Sequence, residues 1–409
     1  MFVAPLAVML SVCATGIGVW ATAVTLLTGV TVVLRSAPKR RVLRETPGIT
    51  VLRPCEGAET GLKSALKSSF TAAWAGPREV VICTPNADDP ASAVARELLL
   101  EHPGVGRLVH DVPEAAAWRN PKARRLCGAW AEVRQPIVVQ ADADVVIDDQ
   151  GLEQLIAAIE PGVAAAWAAP VVGAAPTWGS RVMRAAMGGS FYALSVMSGL
   201  NASLGAPPAL SGALLAFRKD ALPNGYAAAA NDIGDDLALG QELSRHGTIA
   251  LSGCAVICDR RALELPAVRA MLRRWIRVAT APVPARLLGF PTMLSATPPV
   301  LVMAPVALLI GAPAWVLGAV GTAIVARLAG QMIVRRELTG DAIGPAVLLD
   351  TVLGEAVVLD AAAGAAWDAL RRRDIRWRNR NYTLGTGGNI VAVHDAQPAA
   401  ERRPLERAP

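Results

Sequence analysis

The chain is poor in aromatic residues, histidine and charge, and each shortage removes a class of function. Three tyrosines and five phenylalanines leave few rings to stack on bases, which argues against a nucleic-acid binder. Four dispersed histidines make no zinc cluster. The six cysteines (Cys13, Cys55, Cys83, Cys127, Cys254, Cys258) show no paired Cys-x-x-Cys and read as buried free thiols, not as a disulfide framework. Charged residues make up only 18% of the 409, against 53% hydrophobic ones, and the mean hydropathy of +0.38 is too apolar for an ordinary soluble protein. Membrane segments are therefore expected. The net charge of +6 comes mostly from arginine clusters flanking apolar runs, a pattern that suits an anionic membrane surface.

Residues 1–34 form the first such segment. No charge occurs from Phe2 to Leu34, which is more than the roughly 20 apolar residues a spanning helix needs. Arg35, Lys39, Arg40, Arg41 and Arg44 follow, so the positive-inside rule puts residue 35 onward in the cytoplasm. A second apolar region, residues 287–336, is split near Gly311-Ala312-Pro313 and reads as a transmembrane hairpin, with Arg327 expected to snorkel to its cytoplasmic end. Residues 343–367 are apolar but interrupted by Asp350, Glu355 and Asp360. Carboxylates at mid-bilayer are costly, so 337–390 reads as an amphipathic or re-entrant segment with a basic tail; a third span is the alternative. Residues 391–409 read as disordered. The whole describes a multi-pass protein of the cell membrane with its main domain, residues 35–286, in the cytoplasm.

Within that domain, strand-like runs at 49–52, 79–83, 107–110 and 137–140 alternate with helical stretches, which predicts an α/β fold with a mostly parallel sheet. Ligands bind such sheets at the carboxyl ends of the strands, where Asp88-Asp89 and Asp142-Ala143-Asp144 fall. Two carboxylates one residue apart at the end of a buried strand repel each other and call for a cation or a basic partner. Mg²⁺ or Mn²⁺, shared with substrate phosphates, answers that demand and points to a nucleotide diphosphate. An Asp-rich turn after the strand is the plainer alternative. Asp88-Asp89-Pro90 on its own reads first as a helix N-cap with dipole-favoured acids. Asp235-Asp236 opens another helix, either as dipole-stabilised acids or as a platform for a general base. In residues 181–204, Met183, Met187 and Phe191 either border an apolar ligand or pack in the core. Residues 266–280 interleave Arg269, Arg273, Arg274 and Arg277 with Met271, Leu272, Trp275, Ile276 and Val278, a basic amphipathic helix suited to the membrane surface. Its arginines suit lipid phosphate or a diphosphate leaving group equally.

Order and spacing are more specific than any one motif. An Asp-Asp-Pro after a strand, an Asp-x-Asp about 55 residues on, an Asp-Asp about 90 beyond it and an Arg-Trp before the apolar spans resemble the ceramide glucosyltransferase family. This is glycosyltransferase family 21, which includes hopanoid-associated bacterial glycosyltransferases. Pro47-Gly48-Ile49-Thr50-Val51-Leu52-Arg53-Pro54, Asn120-Pro121-Lys122 and Ile375-Arg376-Trp377 carry the likeness further. The resemblance implies a membrane-anchored GT-A domain that moves a sugar with inversion from a UDP-sugar to a lipid hydroxyl, with glucose the first choice of sugar and ceramide of lipid. By the same resemblance Asp89, Lys122, Asp142, Arg274 and Trp275 bind the donor, Asp144 holds the metal and Asp236 is the catalytic base. Three departures stand out. Met271 occupies a position where the family has Gln or Arg, with Arg273 or Arg269 as candidate substitutes; Asn86 and Ala87 replace an acid and a histidine; and residues 164–176 contain no histidine. A processive polysaccharide synthase shares the acidic series, but it needs more spans and an intact Gln-x-x-Arg-Trp.

Overall fold

A computed structural model describes residues 3–36, 46–173, 175–203, 210–258, 262–282, 295–311, 315–371, 374–377 and 380–395. After a long N-terminal helix, α1 (Val3–Ser36), the apolar runs become strands β1 (Ile49–Pro54), β2 (Arg78–Thr84), β3 (Gly106–His110) and β4 (Ile137–Ala141). Every residue of β1 and β4 is buried, because helices α2 (Leu62–Thr71), α3 (Pro90–Glu101) and α4 (Pro121–Trp130) cross between the strands and cover the faces of the sheet. Burial on both faces is why these strands read as unbroken apolar runs. They pair in parallel in the order β3-β2-β1-β4. Chain direction along the sheet reverses between β1 and β4, and at such a switch point a crevice opens beyond the carboxyl ends.

Past β4 the sheet changes character. β5 (Val145–Val146), α5 (Asp149–Ala157) and β6 (Val163–Val172) lead into a helical excursion and then into β7 (Leu214–Arg218) and β8 (Thr248–Cys258). The full order is β3-β2-β1-β4-β7-β6-β8-β5, with β7 antiparallel to both β4 and β6. The sheet is thus mixed but mostly parallel, as expected, with β7 and β5 alone among its eight strands running against the others. Apolar periodicity finds strands but carries no information about the direction in which they pair. The excursion comprises α6 (Trp178–Ala186), a π-helical turn at Met187–Phe191 and α7 (Tyr192–Ser203). α8 (Asp235–Leu243) precedes β8 and α9 (Leu265–Thr280) follows it.

The remainder is α10 (Thr297–Leu309), α11 (Trp315–Thr339), α12 (Pro345–Leu370) and a small antiparallel sheet of β9 (Ile375–Trp377), β10 (Arg380–Leu384) and β11 (Ile390–Asp395). That sheet docks on the domain: Arg119 Nη1 donates to the Ile390 carbonyl at 2.7 Å, and the Ile390 N–H donates to the Asn231 carbonyl at 2.7 Å. β11 runs into the stretch read as disordered, while residues 396–409 lie outside the described residues.

Among the described residues, one helical segment, Pro5–Leu27 of α1, is long and apolar enough to cross a membrane. Of the expected hairpin, the described part comprises α10, with 13 residues, and α11, whose 25 residues include Arg327, Arg335, Arg336 and Glu337. Lys39, Arg40, Arg41 and Arg44, residues 287–294 and the Ala312-Pro313 link lie outside the described residues.

Arg327 does not snorkel. Its side chain is 4% exposed and donates to Glu355 of α12, Nε to Oε1 at 2.9 Å, and to Thr25 Oγ1 of α1 at 2.9 Å. Gln331 Nε2 (2.7 Å) and the Thr297 N–H (2.8 Å) complete the Glu355 carboxylate. A buried charge whose partners are supplied on the spot has no need to reach water. The other acids of α12 are matched likewise: Asp350 by Arg181 at 2.8 Å, Asp360 by Arg269 at 2.7 Å, and Asp368 by Arg273. The apolar stripe of α9 (Val268, Leu272, Ile276), expected to lie on a membrane, packs instead against α6 and α12.

Candidate active site

At the carboxyl ends of β1 and β4 lies a cavity of about 490 Å³. β4 stops at Ala141, and the chain turns through Asp142-Ala143-Asp144 into β5, bringing both carboxylates to the cavity lining. The turn is fixed from two sides. The Asp142 N–H donates to the Ala213 carbonyl at 2.9 Å, and Arg53, fully buried in β1, donates from Nη2 to the Val145 carbonyl at 3.0 Å. Burial pulls the proton affinity of Arg53 down, and nearby negative charge, including the carboxylates of Asp144 and Asp142, restores it only in part.

Lys122 enters from the start of α4, and the Asn120-Pro121-Lys122 sequence shows why. Asn120 caps the helix, its Oδ1 accepting from the N–H groups of Lys122 (2.9 Å) and Ala123 (3.1 Å), while its Nδ2 donates to the Asp232 carbonyl at 2.6 Å. Pro121 takes the first helical position, where its missing N–H costs nothing. Lys122 Nζ then stands 2.7 Å from Asp142 Oδ1 and 3.0 Å from Asp235 Oδ2. Burial alone would lower its proton affinity, but Asp142 and Asp235 outweigh it and the ammonium is held charged. Asp142 is moved upward by burial and by Asp144, with Lys122 opposing.

Asp236 lies in the first turn of α8. Its Oδ2 accepts from the Gly212 N–H at 3.1 Å and its Oδ1 from the Leu237 N–H at 3.0 Å. Burial, and then the adjacent Asp235 charge, push its carboxyl up to about 7, with Lys122 opposing. A carboxyl poised there is matched to proton transfer at neutral pH. Gly212 permits the close approach: a Cβ there would lie 3.1 Å from Lys122 Nζ and 3.2 Å from Asp236 Cβ.

Arg274 and Trp275 line the opposite wall. The Arg274 guanidinium lies 5.7 Å from the centre of the Trp377 ring, and Trp275 meets Phe191 edge-on with centroids 6.2 Å apart. Met271 lines the same wall, and its proposed substitutes do not replace it: Arg269 and Arg273 are engaged by Asp360 and Asp368 of α12. Asp89 stands back from the lining. It caps α3 through the Ala91 N–H (2.8 Å) and accepts from the Gly57 N–H (2.9 Å), tethering a loop whose Glu56 and Glu59 do line the cavity.

The structure therefore gathers Lys122, Asp142, Asp144, Asp236, Arg274 and Trp275 around one cavity and leaves Asp89 one layer behind it. Sequence reasoning did not single out Arg53, the Glu56–Arg125 ion pair or the Trp377 wall as site residues. A signal for Arg53 was present, since an arginine inside an apolar strand demands a buried partner. Among the described residues no group of three or more His, Cys, Asp or Glu is disposed to hold a metal. Two carboxylates at the cavity lining nonetheless fit a Mg²⁺ or Mn²⁺ ion shared with a diphosphate, which needs no all-protein cage.

The model of the family described as "Glycosyl transferase family 21" matches residues 7–390. The chain belongs to glycosyl transferase family 21. This membership, anticipated from the acidic series, makes it a member of a family of sugar transferases. The chain is similar to Ceramide glucosyltransferase 1 of Caenorhabditis elegans, at 27% identity over 106 residues, covering 26% of this chain and 22% of that one. A ceramide glucosyltransferase of Komagataella phaffii is 25% identical over 136 residues, covering 31% and 26%. These matches thus span only a minor part of either relative's length. Among solved structures, a mannosyltransferase from Pyrobaculum calidifontis in complex with GDP-Man and Mn²⁺ has a TM-score of 0.44 at 19% identity, covering 87% of this chain and 99% of that one. Glucosyl-3-phosphoglycerate synthase from Mycobacterium tuberculosis, in complex with Mn²⁺, UDP and phosphoglyceric acid, has 0.38 at 18%, covering 57% and 78%.

Proposed function

We propose that this family 21 protein transfers a hexose, glucose in the first instance, from a UDP-sugar to the hydroxyl of a membrane lipid, ceramide in the first instance, with inversion at the anomeric carbon. The observation that carries the reading is the ammonium of Lys122, which joins Asp142 to Asp235 beside a partly ionisable Asp236 in a cavity whose other wall sets Arg274 among apolar side chains. Asp142 and Asp144 hold the donor's diphosphate end, with Asp144 as the protein ligand to Mg²⁺ or Mn²⁺. When bound, that ion supplies positive charge to the departing diphosphate. Arg274 adds to it from the protein side, Lys122 orders Asp142 for the incoming donor, and Trp275 shapes the wall against which the sugar and the acceptor lie. Asp89 acts on the donor by keeping the 56–59 loop in place.

Asp236 takes the proton of the acceptor hydroxyl as its oxygen attacks the anomeric carbon from the face opposite the diphosphate. The new C–O bond forms as the bond to the diphosphate breaks. The electron pair leaves with UDP, and the proton stays on Asp236 until solvent takes it. The exposed apolar side chains of α1, among them Leu6, Val8, Val12, Val19 and Trp20, support insertion of that helix in the cell membrane, with the domain on the cytoplasmic side where UDP-sugars are held. Purified protein given UDP-glucose, Mn²⁺ and ceramide, with diacylglycerol and hopanoid acceptors in parallel, is expected to release UDP and form a glycolipid seen by mass spectrometry. Release with no pairing of nucleotide sugar and lipid would sink the reading.

A further inference from the structure

Resting on that reading, we propose that Lys122 couples the donor end of the cavity to the general base: it leaves Asp142 for Asp235 and Asp236 when a cation occupies the Asp142–Asp144 end. The base is then more fully ionised when a donor is in place.

The geometry carries the argument. One ammonium bridges two carboxylates that belong to the two halves of the site, 2.7 Å from Asp142 on the β4–β5 turn and 3.0 Å from Asp235 at the start of α8. Its backbone is fixed by the Asn120 cap, but its four-carbon stem is not, so the charge moves while the helix stays. A cation arriving at Asp142 satisfies that carboxylate and repels the ammonium, and Asp235 is the partner already in reach. Room for the shift lies past Gly212, where a methyl group would press on both the ammonium and Asp236.

Asp236 is faced by Asp235 on its own helix, Lys122 from α4, Asp142 from the turn and the Gly212 N–H; Asp144, Arg274 and the Glu56–Arg125 pair line the same cavity. Of these, Lys122 is the cation in contact with Asp235. A positive charge brought nearer favours the ionised carboxyl, so its approach lowers the proton affinity of Asp236. By linkage, donor binding and loss of the Asp236 proton promote each other.

The test is calorimetric titration of the full chain in detergent at pH 7 with UDP-glucose and Mn²⁺, in two buffers of different ionisation enthalpy. The diesterified diphosphate of UDP-glucose does not itself titrate there. The quantity read is the proton release that depends on Asp236, taken as the difference between a protein and its Asp236→Asn version, which cancels any contribution from Asp142. With the carboxyl at about 7, roughly half a proton per donor is expected in the wild type and close to none in a Lys122→Gln background. Equal release in both backgrounds, or none in the wild type, overturns the coupling while leaving the donor reading intact. No binding of UDP-glucose with Mn²⁺ overturns both. If Lys122→Gln loses donor binding, Gly212→Ala, which crowds the ammonium and keeps every charge, decides: reduced release supports the coupling and undiminished release overturns it.

Discussion

Arg53 Nη2 donates to the carbonyl oxygen of Val145 at 3.0 Å, so a guanidinium with no solvent exposure braces the turn that carries Asp142 and Asp144. Deleting it by Arg53→Met leaves that buried carbonyl without its donor, at a cost on the order of 1–3 kcal/mol. Thermal melts should show the loss. Mn²⁺-dependent UDP binding, followed by calorimetry, should weaken more than binding of UDP without metal; equal weakening of both would show that Arg53 supports the fold and not the turn.

Asp236→Asn is expected to lower turnover roughly 10²–10⁴-fold while UDP-sugar affinity is retained, since it removes the base and keeps an acceptor for the Gly212 N–H. Because the carboxyl is pushed up to about 7 in the free protein, the wild-type kcat/KM for the donor should fall as pH drops through that value. The sign for stability is opposite to that of a salt-bridged acid. A folded-state value above the unfolded one makes Asp236 cost stability, and the cost grows as pH rises from about 4 and is complete above about 7. Asp236→Asn should therefore melt above the wild type at pH 8, with the gap closing toward pH 4. A gap independent of pH would mean that Asp236 is not displaced as described.

Asp89→Ala removes both the α3 cap and the acceptor for the Gly57 N–H. The cap is worth roughly 1 kcal/mol, measurable by denaturation. Freeing the 56–59 loop should raise the donor KM with kcat near wild type. A fall in kcat alone would place Asp89 closer to the reacting centre than its position behind the cavity lining suggests.

Arg327 and Glu355 are both nearly free of solvent, with side chains 4% and 2% exposed. Arg327→Met leaves the Glu355 carboxylate buried with its cation gone and should cost roughly 3–5 kcal/mol. The double variant Arg327→Met, Glu355→Leu should recover most of that. Unfolding in lipid nanodiscs measures both, and a double variant no better than the single one would contradict the pairing.

Much of the candidate site was legible because its chemistry is written in carboxylates that interrupt apolar patterns. Asp142 and Asp144 break a strand, Asp235 and Asp236 open a helix, and both pairs reach the same cavity. What escaped depends on partners distant in sequence. The acids of α12 looked like obstacles to an apolar helix, yet Arg181, Arg269, Arg273 and Arg327 on three other helices match Asp350, Asp360, Asp368 and Glu355. A burial cost can be read from one segment, whereas its compensation belongs to the packing. The antiparallel insertion of β7 between β4 and β6 is of the same kind, since a run such as Leu214-Leu215-Ala216-Phe217 is apolar whichever way it is paired.

The π-helical turn at Met187–Phe191 makes one region sensitive to length more than to composition. It joins α6 to α7, turning Met187, Phe191, Leu194 and Ser198 to the cavity while Gly188 and Gly189 sit against Arg335 and Gln331 of α11. Deleting a single residue there would swing everything downstream by roughly 100° about the helix axis. Leu194 and Ser198 would rotate off the wall, and an otherwise intact protein would present a differently shaped chamber.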